Sequence, residues 1–184
     1  MNRYFYGNKK DLINKLKELK IQFKIKNNEI LIENGIIKYE EKDLPIRTFS
    51  ITRFPKKGLE LEINNIDNKI TDKICMPYNN DEIKAIIRDM PVIKWYSKNH
   101  KNTLSDVAII WRDHFLEENV GLLNGFVEMG VNPRNILAID KGDSTKHRFE
   151  ITETFKKMGF NVSVLDNTDV GNEELMKIGE KLIH

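Results

Sequence analysis

The spacing of apolar and polar residues divides the chain into two halves with different periods. In the first half, Leu12, Leu16 and Leu19 fall on one face of a helix expected over residues 11–20. Residues 22–25 and 30–32 read as short strands on either side of an Asn27-Asn28 turn. A second turn at Asn34-Gly35 leads into the apolar run Ile36-Ile37 and on to Tyr39. Residues 48–52 and 59–63 alternate with period two, which is hairpin or meander chemistry. Together these features predict a small α+β unit over residues 1–80, ending in a polar connector at 64–80.

Helices are expected next from Asp81 to just before Pro91, and again from Pro91. The residue before a proline avoids the helical region, and a proline in the first turn loses no hydrogen bond. From Val107 strands and helices alternate. Residues 107–111, 136–139 and 162–165 read as three short buried strands. Between them, Leu116, Val120, Leu123 and Val127 repeat at helical spacing up to Gly130, and Ile151, Phe155 and Met158 do so up to Gly159. A last helix is expected from about Gly171, with Leu175, Ile178 and Leu182 inward. Such alternation predicts an α/β fold over residues 81–184: a Rossmann-like parallel sheet with right-handed crossovers.

Composition narrows the class. The 184 residues are 40% hydrophobic and 32% charged, enough for one medium domain or two small ones with a real core. Thirty basic residues against 28 acidic ones leave a net charge of +2, spread along the chain. On that balance no nucleic acid and no membrane is expected as partner. Cys75 is the single cysteine, so no internal disulfide can form. The start is too short and polar for a signal peptide, and no apolar run reaches the length of a membrane span. A cytoplasmic protein is the expectation.

In an open parallel sheet, ligands bind beyond the carboxyl ends of the strands. Here those ends carry Arg112-Asp113-His114, then Asp140-Lys141-Gly142-Asp143-Ser144-Thr145, then Asp166-Asn167-Thr168-Asp169. Ser144, Thr145, Thr168 and Asp169 are typical helix-capping types. His114 and Glu118 are four residues apart and are expected on one face of a first helical turn, where capping does not explain them. The glycines give no G-x-G-x-x-G and no phosphate-binding loop. The four histidines and one cysteine have no zinc spacing, so no metal site is expected. Cys75 reads as structural.

Some of these residues resemble a family. Asp89-Met90-Pro91 is similar to the acidic-Met-Pro start of a helix in the S-adenosyl-homocysteine hydrolases (adenosylhomocysteinases). The linker and strand of residues 104–110 follow in the same order. His114-Phe115-Leu116-Glu117-Glu118-Asn119 then falls where that family has His-x-Thr-x-Glu/Gln-Thr. The resemblance covers residues 89–184, its amino-terminal substrate portion. It implies a nucleoside or S-adenosyl-homocysteine-like ligand, with His114 a catalytic proton shuttle near the ribose and Glu118 on the adenine edge. The strand-end loops add Asp113, Asn119, Asp140, Lys141, Ser144 and Thr145 as substrate-binding positions. Leu116 and Asn119 stand where the family has threonines, and Lys146-His147 where it has Gln-Asp. The family's NAD domain and later catalytic segments have no counterpart here. The resemblance therefore implies a chain that is not catalytically complete alone, with no cofactor of its own and NAD supplied by another domain or partner.

Two other readings stand beside it. Asp113, Asp140, Asp143, Asp166 and Asp169 could gather at one sheet edge around magnesium for phosphoryl transfer or phosphate hydrolysis. Alternatively, the hairpin edges of residues 1–80 could pair with a protein partner or second subunit in a regulatory protein without a small ligand.

Overall fold

The computed structural model describes residues 2–45, 47, 56–142, 145, 147–164, 177, 180 and 181. The chain separates into two compact units, the described residues up to Met76 and those from Pro77.

The amino-terminal unit is a five-stranded antiparallel sheet with a helix. Its strands are β1 (Asn2–Phe5), β2 (Phe23–Lys26), β3 (Glu29–Ile32), β4 (Gly35–Leu44) and β5 (Lys56–Asn64), in the order β1-β5-β4-β3-β2. Helix α1 (Lys9–Glu18) starts at Asn8, whose side chain accepts from Asp11 N while Asp11 accepts from Asn8 N. That reciprocal cap satisfies two of the donors a helix start leaves open. The alternation read from the sequence is visible across β4 and β5. Ile37, Tyr39, Leu59, Leu61 and Ile63 face a core shared with Leu12 and Leu16 of α1. Lys38, Lys42, Glu60 and Glu62 hold the other face with cross-strand ion pairs. Within the expected connector lies a four-residue helix, α2 (Asn68–Thr71). The expected strand over residues 48–52 lies outside the described residues.

The second unit has a three-stranded parallel sheet, β6 (Ile109–Asp113), β7 (Ile136–Asp140) and β8 (Asn161–Val164), in that order. Its helices are α3 (Asn80–Arg88), α4 (Pro91–Asn99), α5 (Glu117–Glu128) and α6 (Arg148–Lys157). Asn79 and Glu82 form a second reciprocal cap at α3, and Pro91 opens α4. Ile136 and Ala138 of the central strand pack with Phe115, Val120, Leu123, Ile151 and Phe155. Apart from Ala138, each of these side chains contributes about 1.5–3 kcal/mol when fully buried. The Phe115 and Phe155 rings meet edge to face at 5.0 Å. All five residues of β7 are buried, as a central parallel strand requires. Among the described residues the fold is thus mixed α/β, with separate antiparallel and parallel sheets. No described helix is long and apolar enough to cross a membrane.

Three expectations are corrected. The first parallel strand begins at Ile109 rather than Val107, because Val107 N donates to Leu104 O in a turn. Arg112 and Asp113 are consequently strand residues. Helix α5 begins at Glu117 after Leu116, so His114 and Glu118 do not share a helical turn, and Leu116 is 42% exposed rather than inward. The residue preceding α6 is His147, in the left-handed region at φ 63°, and Thr145 does not cap that helix. The last parallel strand ends at Val164 within the described residues, and most of the expected final helix lies outside them.

Candidate functional site

Register brings the rim together. Asp113 at the end of β6 is the Cα partner of Asp140 at the end of β7, so both carboxylates leave the same side of the sheet at the same level. Like charges at that separation need cations, and each has its own. Lys141 Nζ lies 3.4 Å from Asp113 Oδ1, with both side chains about one-third exposed (27% and 34%). Arg148 Nε, from the first turn of α6, lies 2.6 Å from Asp140 Oδ2. That contact is ionic, without the geometry of a linear hydrogen bond. Asp140 is fully buried, and its Oδ1 accepts from Gly142 N at 3.2 Å. Arg148 also donates to Gly142 O at 3.1 Å, tying the loop after β7 to its helix.

The loop after β6 is fixed from both ends. Asp113 Oδ1 accepts from His114 N at 2.8 Å, and Asn119 Nδ2 donates to His114 O at 2.8 Å. Phe115 is buried between them, and Thr145 Oγ1 donates to Phe115 O at 3.2 Å. The His114 side chain is half-buried and Glu118 is exposed. Neither α5 nor α6, which open at this rim, has a hydrogen bond from a capping side chain. Backbone carbonyls close these starts instead: Asn119 N donates to Leu116 O at 3.2 Å, and Arg148 N to Thr145 O at 3.3 Å.

The expected site residues fall into two groups. His114, Glu118, Asp113 and Lys141 are wholly or partly open to solvent. Asn119 and Asp140 are buried and hold the loops, and Thr145 ties one loop to the other. Ser144 lies outside the described residues. Sequence reasoning missed Arg148 and Tyr78. The Tyr78 hydroxyl donates to Glu117 Oε1 at 2.8 Å, and its N–H donates to Thr154 Oγ1 at 2.8 Å. A basic residue following the polar loop after β7 was the available signal for Arg148; Tyr78 left none.

Among the described residues no group of three His, Cys, Asp or Glu side chains is placed to hold a metal ion. Asp113 and Asp140 are each committed to a cation of the protein. Asp143, Asp166 and Asp169 lie outside the described residues. The amino-terminal unit contains a cavity of about 470 Å³ floored by Leu19, Ile21, Ile32, Ile66 and Ile70. Its charged members Lys20, Glu33, Asp67 and Lys73 are all exposed, so it has no buried charged group to orient a ligand. Compared with known proteins, the chain matches no family model, no curated protein and no solved structure.

Proposed function

We propose that the unit from Pro77 onward is a Rossmann-like domain that binds a nucleoside or S-adenosyl-homocysteine-like ligand at the carboxyl rim of its parallel sheet. The supporting observation is the level alignment of Asp113 and Asp140, with Lys141 paired to Asp113 and His114 next to it in the chain. Ligands of this fold class bind beyond the strand ends. The partly exposed Asp113 carboxylate suits the two hydroxyls of a ribose, which it accepts from. His114 offers a donor or acceptor next to it, and Glu118 can accept from an exocyclic amine. Lys141, 27% exposed, suits a ligand carboxylate. Asp140, Arg148, Asn119 and Thr145 act indirectly, by holding the two loops.

The turn after β6 does not fit a dinucleotide. Pyrophosphate needs glycines for close backbone approach, whereas residues 113–116 are Asp, His, Phe and Leu. This chain therefore binds rather than oxidises the nucleoside, and any nicotinamide chemistry belongs to another domain or partner. Calorimetry with adenosine and with S-adenosyl-homocysteine tests the reading. Binding should weaken about tenfold or more in Glu118→Ala and in Asp113→Asn, as expected when one hydrogen bond to a charged group is lost. Absence of heat with both ligands at millimolar concentration would refute it.

A further inference from the structure

Helix α4 exposes large apolar and aromatic side chains as well as its lysines. Ile93 and Ser97 point inward, and a Cβ at Gly125 of α5 would meet Ile93 Cγ2 at 2.5 Å. The outward side, within one turn, carries Val92, Trp95 and Tyr96, exposed to 64%, 56% and 49%. The rings form a continuous surface. Trp95 and Tyr96 meet edge to face at 5.0 Å, and Tyr96 stacks on His100 at 5.3 Å. Asn99 Nδ2 donates to Trp95 O at 2.7 Å within the helix. Large contiguous exposed aromatics mark a binding surface rather than ordinary surface residues.

The charge along the helix and the turn after it is one-sided. Residues 92–101 contain Lys94, Lys98 and Lys101 and no carboxylate. All three lysines are exposed, and none has an ion pair among the described residues. The net charge of the whole chain, +2, averages this run away. The earlier expectation of no nucleic-acid partner rested on that average.

We propose that α4 and the turn after it form a docking surface for single-stranded nucleic acid. Exposed rings stack on bases, which present a π face whatever their sequence, and lysines neutralise the phosphates between them. In α4 the rise of 1.5 Å per residue puts Lys94 and Lys98 about 6 Å apart along the axis, short enough to serve neighbouring phosphates of an extended strand. The patch has one aliphatic side chain, Val92, beside three rings, which favours stacking over insertion into a lipid surface. A duplex hides its base faces and offers these rings nothing. This surface does not depend on the nucleoside site at the sheet rim.

The test is fluorescence anisotropy of the full chain with labelled oligo-dT and oligo-rU of about twelve nucleotides at low salt. Binding is expected to weaken about twentyfold between about 50 and 200 mM salt, the fall for three neutralised phosphates on a single strand. Trp95→Ala should weaken it about tenfold or more, and Lys98→Glu likewise. Both side chains are exposed, so circular dichroism should be unchanged. The proposal is overturned if no oligonucleotide binds at low salt, or if the matching duplex binds as well as the single strand. It is also overturned if Trp95→Ala binds like the parent. Stronger capture by anionic phosphatidylserine vesicles or by polyglutamate than by oligonucleotide would reassign the patch and overturn it as well.

Discussion

Arg148 Nε lies 2.6 Å from Oδ2 of Asp140, a carboxylate with no exposed surface at the end of the central parallel strand. A buried pair of this kind adds little over an apolar pair of the same shape, but breaking it strands the remaining charge. Arg148→Met should therefore destabilise the carboxyl-terminal unit by about 3–5 kcal/mol. Asp140→Asn should cost less, because the arginine is partly solvated at 18% exposure and retains its bond to Gly142 O. Urea unfolding of both variants checks the order. Equal losses would show that the arginine is as dependent on the pair as the aspartate.

Asn119 connects stability to the proposed ligand site. Its Nδ2 donates to His114 O across the loop, and the residue is 5% exposed. Asn119→Ala should cost about 1–3 kcal/mol, the penalty for leaving a buried polar partner unmade. Asn119→Asp should be worse, since a carboxylate cannot donate and would face a carbonyl oxygen. In calorimetry, Asn119→Ala should also lose nucleoside affinity although its side chain cannot touch a ligand. Unchanged affinity would mean that His114 is not held through this bond.

Tyr78 is 1% exposed and bonded at both ends, through its N–H to Thr154 Oγ1 and through its hydroxyl to Glu117 Oε1. Hydrogen bonds to charged groups contribute about 1.5–3 kcal/mol, so Tyr78→Phe should lose stability near that range. Thr154→Val is nearly the same shape and leaves the Tyr78 N–H without its acceptor. It should cost about 1–3 kcal/mol. Thermal or urea unfolding measures both, and a double variant tests whether the two bonds act independently.

What the sequence reveals and conceals follows from how local each cause is. Period-two and helical spacing are local, and they placed α1, β2, β3, β5–β8 and α3–α6 within a few residues, and the first part of β4. Caps are local only when the helix start is. The reading failed at Leu116 and His147, where α5 and α6 begin without a capping side chain and the competing Ser144-Thr145 looked better. The His114–Glu118 spacing suggested one helical face because the strand was read two residues early. The pairing of Asp113 with Asp140 depends on register between strands separated by α5, and spacing does not reveal it. The choice of Arg148 as partner depends in turn on that register. The exposed rings of α4 were hidden for another reason. A pattern with Trp95 and Tyr96 on it reads as a helix, but which face meets α5 is decided by Gly121 and Gly125 on the other element.

A pH effect belongs to the amino-terminal sheet. Lys42 hydrogen-bonds Glu60 across the strands and Glu40 on its own strand, and these bonds raise its pKa above the ordinary lysine value. A raised folded-state pKa means stabilisation that is complete below the unfolded-state value and is lost as pH rises through the folded one. The stability difference between the parent and Lys42→Met should thus be constant at neutral pH and disappear only in strong alkali. A difference that instead vanished on moderate acidification would point to the glutamates. Unfolding midpoints across the pH range distinguish the two.

Gly121 and Gly125 look interchangeable, one turn apart on the same buried face of α5, yet their substitution should not be equivalent. A Cβ at Gly121 would press on Met90, whose thioether is flexible and can swing aside, with Ile86 Cγ2 at 3.1 Å. At Gly125 it would meet Ile93 Cγ2 at 2.5 Å. That methyl is on a β-branched side chain with one favoured helical rotamer, so it can move only with the backbone of α4. Replacing a helix-interior glycine with alanine gains about 1 kcal/mol of helix propensity, while overpacking costs about 1–3 kcal/mol. Gly121→Ala should therefore be near neutral, and Gly125→Ala should lose up to about 2 kcal/mol net. Adding Ile93→Ala removes the colliding methyl, so the double variant should be more stable than the sum of the two single losses predicts. A strictly additive result in urea unfolding would mean that α4 is not held against α5 at this contact.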